Sequence, residues 1–351
     1  MEPLTRAPLR FSWIYGPVPD LFVALCWVPV FLAAHALTVR HGIANDHLLG
    51  NLLSGAFLLS LLHQPLTLAL IYGDKNQFAL RRKLFTWSPF VAVALVSVAV
   101  LMNLWIIIPV AALWNLIHTL NQRYGLSRIY SRKAGYGSAR LDRWTVFAWM
   151  FVALLVVGST ATTLHQLARV MLDDTNANGI KTLTRVRPYA LWLVVPVAMG
   201  ALALTVALVR QELQHRDQAN GAKWVYQASG GLLILVIALD PLAGFIAYVA
   251  AHAIEYFVVV DETMISRYGR ARDASTVLGR LVHHRGGRMA FFVAFLGAFA
   301  LLLSSRLTRL FPGQTYTITL YSVGILHFWY DSFIWKLRKP AVAANFGIRP
   351  A

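Results

Sequence analysis

Residues 224–261 read WVYQASGGLLILVIALDPLAGFIAYVAAHAIEYFVVVD. As a single helix this run would be about 57 Å long, nearly twice the roughly 30 Å hydrocarbon thickness of a bilayer. Proline disfavours helix at the residue before it, so the run divides at Asp240–Pro241 into two spans. Two apolar helices joined by almost nothing set the fold class: an all-α, polytopic integral membrane helical bundle. The second half also carries His252 and Glu255 within its apolar sequence.

Working outward, the composition agrees. The 351 residues are 58% hydrophobic and 13% charged, about half the charge of a soluble domain. Mean hydropathy is +0.57. The sequence predicts one transmembrane domain over residues 1–351. Its ten spans lie near 19–38, 49–73, 88–102, 104–123, 144–164, 189–209, 224–239, 241–261, 288–304 and 316–337. With both termini cytoplasmic, 25 of the 32 Lys and Arg fall on the inner side, as the positive-inside rule requires. That distribution accounts for the net charge of +17 without a nucleic-acid partner. The basic inner segment NQRYGLSRIYSRKAGYG, residues 121–137, reads as such a loop, the alternative being that Arg123, Arg128, Arg132 and Lys133 bind phosphates of membrane lipids.

The single cysteine, Cys26, excludes disulfides and cysteine-based metal sites. The first apolar run is too long for a signal-peptide core and reads as a retained helix. The loop-poor chain suggests a bacterial inner membrane. In the 165–188 outer loop, DTNANG (Asp174–Gly179) copies the start of a calcium loop, but its twelfth position is Arg185. A cation there repels the ion, so the segment reads as a turn.

Of the eleven histidines, seven lie near surfaces: His35, His41, His47, His165, His215, His283 and His284. The other four, His63, His118, His252 and His327, sit in apolar spans. Each lies nine to eleven residues before the next inner charge used as a marker: Asp74, Arg128, Asp261 or Lys336. At 1.5 Å per residue that is roughly 14–16 Å, the middle of the bilayer for all four. Arg123 would draw His118 inward unless its side chain snorkels.

Gln122 follows His118 by four residues, Glu255 follows His252 by three and Asp331 follows His327 by four, which puts each pair on one helix face. Ionisable groups at this depth cost about 2.5–3.5 kcal/mol each, and a bound cation offsets that cost. Neutral imidazoles with carboxylates suit Fe, Zn, Cu or Mn. The sequence therefore marks His63, His118, His252, His327, Glu255 and Asp331 as candidate metal ligands, and Gln122 as a group behind them. Glu255, Asp331 and Tyr256 are candidate catalytic residues.

Three functions fit such a site. The first is a non-haem iron centre, mononuclear or dinuclear, using O₂ on an apolar isoprenoid, carotenoid or acyl chain, with an electron donor if the reaction needs one. The second is a proton- or ion-coupled transporter. The third is a b-type haem carrier. The histidine boxes of membrane desaturases, H-x₃₋₄-H and H-x₂-H-H, are absent from the sequence.

The segment FIAYVAAHAIEYF, residues 245–257, and HQPLT, residues 63–67, resemble the bacterial β-carotene dioxygenase (Brp/Blh) family. The resemblance covers about three helices and implies a polytopic fold holding iron with histidines from several helices. It matches His252 and His63 to family histidines. It departs where the family's second late histidine is Tyr256 and the early motif's Asp is Thr67.

Overall fold

The computed structural model describes residues 10–41, 46–104, 107–160, 177–269, 276–303 and 313–348, and it is helical throughout except for short turns. In chain order the helices are α1 (Pro17–Leu25), α2 (Trp27–His41), α3 (Asp46–Tyr72), α4 (Lys75–Ala79), α5 (Arg82–Leu101), α6 (Ile107–Ala134) and α7 (Ala139–Ser159). They continue as α8 (Ala177–Gln214), α9 (Gly221–Leu239) and α10 (Pro241–Met264), the last extended by a π-helical turn over Ile265–Gly269. The final four are α11 (Val277–His283), α12 (Gly287–Leu303), α13 (Gly313–Ile334) and α14 (Pro340–Asn345).

The breaks between helices have local causes. α1 stops at Cys26 because Pro29 has no N–H to give the Leu25 carbonyl. α5 ends at Asn103, whose φ of 51° is left-handed, while the Leu104 N–H reaches back 2.9 Å to the Ala99 carbonyl. That is the Schellman way of closing a helix. Between α9 and α10, Asp240 is non-helical (φ −134°, ψ 86°) and its Oδ1 accepts from the Ala243 N–H at 3.2 Å. The turn is so tight that a Cβ on Gly244 would stand 2.6 Å from Ile237 Cα.

Among the described residues, seven helices are long and apolar enough to cross a membrane, over 17–39, 48–72, 82–101, 139–159, 187–214, 221–239 and 241–269. Their outward faces carry large exposed apolar side chains such as Val18, Phe90, Trp192 and Leu239, which suits hydrocarbon as solvent. α6 and α13 are 28 and 22 residues long but more polar. α6 carries four cations after His118, and α13 begins with Gln314 and three threonines.

Two segments expected to be loops are largely helical where they are described. The inner segment 123–143 is the end of α6 and the start of α7. Of the 165–188 loop, residues 165–176 lie outside the described residues, and 177–188 already belong to α8. The DTNANG turn therefore falls partly outside the description and partly in the first turn of a helix.

Contacts divide the chain into two compact units, residues 1–56 with 120–251 and residues 57–119 with 252–351. In the first, α7 packs on α8 and α9, and α1 on α9. A buried ionic network holds it. The Asp142 carboxylate, fully buried, pairs with Arg128 Nη1 and Lys223 Nζ, each at 2.8 Å, and accepts from Gln227 Nε2 at 3.0 Å. Lys223 also pairs with Glu212 at 2.6 Å. Two cations thus meet two anions. Gly137 (φ +124°) is needed beside them, because a Cβ there would come 2.8 Å from Ser131 Oγ.

The second unit is centred on Leu66, Ile71, Phe85, Tyr256, Val260 and Tyr330, all buried. α5 packs along α13. Tyr330 OH joins them by bonding Ser88 Oγ at 2.6 Å, and it meets Tyr72 OH of α3 at 3.1 Å.

Candidate metal centre

Four helices of the second unit deliver side chains to one point. α3 brings His63 and, one turn on, Thr67. α10 brings His252 and, one turn on, Tyr256. α13 brings His327 and, one turn on, Asp331, while α6 brings His118. The three i, i+4 pairs place an imidazole and an oxygen group on the same face of each of three helices. Burial is nearly complete: His63 and His327 are fully inaccessible, His252 almost so, and Asp331 is buried. His118 retains 11% of its side-chain surface.

The rings pack edge to face. Centroid separations are 4.6 Å for His63–His252, 4.7 Å for His63–His327, 4.8 Å for His118–His327 and 5.3 Å for His118–His252. Two donor groups result, His63–His252–His327 and His118–His327–Asp331, sharing His327, and within each the ligand atoms lie within 4.8 Å of one another. Either group could hold a metal ion.

Proton counting shows what the arrangement lacks. Thr67 Oγ1 donates its only proton to Asp331 Oδ1 at 2.8 Å. It lies 2.7 Å from His327 Nδ1, so it must accept there, and His327 carries its proton on Nδ1. Tyr256 OH donates toward the same Asp331 oxygen at 3.0 Å and also contacts Thr67 Oγ1. His327 Nε2 is then a lone pair, and it faces His63 Nε2 at 3.1 Å.

On His63, Nδ1 faces the Leu59 carbonyl one turn back, in a geometry too poor to close a hydrogen bond. A proton on that nitrogen would leave both facing Nε2 atoms as lone pairs, which need a proton or a cation between them. His118 Nε2 has no hydrogen-bond partner and stands 3.7 Å from Asp331 Oδ2, while His327 Nε2 stands 3.8 Å from that oxygen. These gaps are too long for hydrogen bonds. They are within the spread of ligands around one ion, since atoms each about 2.1 Å from a metal are at most about 4.2 Å apart. The donor set, nitrogen-rich with one carboxylate oxygen, fits a borderline transition metal.

The other candidate residues fall elsewhere. Glu255 is fully buried on α10 but belongs to neither donor group. Gln122 is half-buried and lies in the first unit. Arg123 is buried in that unit too, its guanidinium over the Tyr226 ring at 5.8 Å. Of the surface histidines, His35 pairs with Asp240 at 2.7 Å and His215 with Tyr136 OH at 2.8 Å. His41, His47 and His165 fall on residues or side chains outside those described.

Sequence reasoning passed over Thr67, the hydroxyl that joins His327, Asp331 and Tyr256. Its signal was the spacing in HQPLT, which sets Thr67 one turn after His63 on the same face. Comparisons with protein-family models, curated proteins and solved structures found no match to this chain.

Proposed function

We propose that this chain is a non-haem iron oxidoreductase of the membrane, acting with O₂ on an apolar substrate such as an isoprenoid, carotenoid or acyl chain. The observation that carries the reading is the convergence of four imidazoles and one carboxylate on a buried point of an apolar protein. Bound iron would supply O₂ activation. His63, His118, His252, His327 and Asp331 would hold it, and the apolar surroundings would keep water from competing with the substrate.

The remaining residues position and supply protons. Thr67 fixes the His327 tautomer and turns its Nε2 inward. Tyr256, packed on the His63 and His327 rings at 4.9 and 5.1 Å, carries an O–H suited to give a proton to the reacting centre. Oxidative cleavage of a carbon–carbon double bond, one oxygen atom going to each carbonyl product, balances without an outside reductant. Hydroxylation or desaturation would need two electrons from a separate donor. The resemblance to the β-carotene dioxygenase family supports the iron-oxygenase class. A haem fits less well, because imidazole rings packed at 4.6–5.3 Å leave no slot for a porphyrin.

The reading includes ten spans, with α6, α12 and α13 joining the seven apolar helices, both termini in the cytoplasm and a bacterial inner membrane as the setting. Elemental analysis of the detergent-purified chain tests the centre. Iron near one equivalent, without a Soret band and lost in His327→Ala, supports it. A metal-free protein after expression with ample iron would sink the oxygenase reading in favour of an ion-coupled transporter.

A further inference from the structure

Three cations of the second unit gather on one residue, Phe333, in the last turn of α13. The Arg81 guanidinium lies 4.5 Å from the centre of its ring and the Lys336 ammonium 5.1 Å. The Lys339 ammonium donates to its carbonyl oxygen at 3.3 Å. Arg338 lies between the two lysines in sequence and is exposed. Among the described residues no carboxylate pairs with any of these four. The Lys339 ammonium is held below the usual lysine range, first by desolvation and then by the charges of Arg81, Lys336 and Arg338.

The contrast with the other basic segment is informative. There Arg128 and Lys223 are neutralised by Asp142 and Glu212. Around Phe333 like charges assemble with no counter-charge among the described residues. Arg81 is also the N-cap of α5 and places no side chain on the free N–H groups of that helix, so the positive end of the helix adds to the same field.

Location decides what anion is available. α5 starts at Arg82 and is apolar enough to cross a membrane. Leu80, Trp87 and Phe90 beside its start are each about two-thirds exposed. A cation cluster at the boundary between apolar surface and water is where lipid headgroups lie, and a guanidinium suits a phosphate oxygen pair.

We propose that Arg81, Lys336 and Lys339, arranged around Phe333, bind the phosphate of an anionic phospholipid headgroup. This site is independent of the metal centre. The Phe333 ring holds two of the cations in place, so the ligand meets a preformed cradle rather than mobile side chains.

The test is native mass spectrometry of the full chain in detergent containing equal amounts of dioleoyl phosphatidylglycerol and dioleoyl phosphatidylcholine. Wild type should retain phosphatidylglycerol preferentially. Arg81→Gln, Lys336→Gln and Lys339→Gln should each lower that retention roughly fivefold, whereas Arg140→Gln with Arg143→Gln should not. Phe333→Leu keeps every charge and should lower retention partially, which decides the matter if the charge variants fail to fold. Equal retention of both lipids by wild type, or equal loss in the Arg140/Arg143 control, would overturn the proposal. So would displacement of the lipid by inorganic phosphate alone, which would mark a free-anion site, or indifference to lipid with binding of an acidic protein instead.

Discussion

The two compact units each bury a polar cluster, and the clusters are opposite in kind. In the first unit, Arg128 and Lys223 face Asp142 and Glu212, and every charge ends on an opposite one. In the second, four imidazoles face one carboxylate, and lone pairs outnumber the protons that could fill them. A closed network gains nothing from a ligand, whereas an electron-rich one could take up a cation. Burial alone therefore does not mark a functional site. The balance of donors and acceptors does.

The largest effect should come from opening the closed network. Lys223→Met leaves Asp142 and Glu212 buried with one fewer partner, and should cost about 3–5 kcal/mol. Thermal unfolding of the purified protein measures it, and metal bound per folded molecule should not change. A variant that unfolds normally but loses its metal would show that the two clusters are not separate in function.

Next comes filling the open network. Iron at about 100 times its dissociation constant should stabilise wild type by about 2.7 kcal/mol, and should do nothing for His327→Ala, which lacks the residue shared by both donor groups. The stabilisation should fade as pH falls, because protons compete with the cation for the same imidazole lone pairs. A metal response that survives in His327→Ala would move the site away from this cluster.

How far the sequence already showed this difference can be judged residue by residue. The shared depth of His63, His118, His252 and His327 was countable, because a helix converts residue number into height at a fixed rise. The chain break at Asp240–Pro241 was visible because proline disfavours helix at the residue before it, whereas the one near Met102–Leu104 followed only from a run too long for one crossing. Thr67 was not visible as a partner, since a threonine in an apolar helix is unremarkable until its neighbours across the packing are known. The ion network was hidden too. Asp142, Glu212 and Lys223 come from three segments, and only packing brings them together. The pairing within the basic 123–143 segment was hidden as well, because charge at a membrane surface looks the same whether it is paired or free.

A smaller effect should follow from Thr67, which links the electron-rich cluster to its own hydrogen bonds. Thr67→Val removes the acceptor for His327 Nδ1–H and one donor to Asp331. The imidazole is then free to change tautomer, and metal affinity should fall about 10–100-fold. Thr67→Ser keeps the hydroxyl and should restore most of it. If valine and serine variants bind metal equally, the hydroxyl packs without orienting the ligand.

The smallest expected change belongs to Glu255, and it decides nuclearity. Along α10, Tyr256 lies four residues after His252, about 40° to one side of its direction, and Glu255 three residues after, about 60° to the other. Tyr256 is the one that meets Thr67 and Asp331, while Glu255 stands outside both donor groups. Glu255→Gln should therefore leave the metal content as it is, near one equivalent, because its carboxylate charge is not among the ligands. A fall from two equivalents to one on that substitution would instead place Glu255 on a second ion. The centre would then be dinuclear, with Asp331 the natural carboxylate for the first ion.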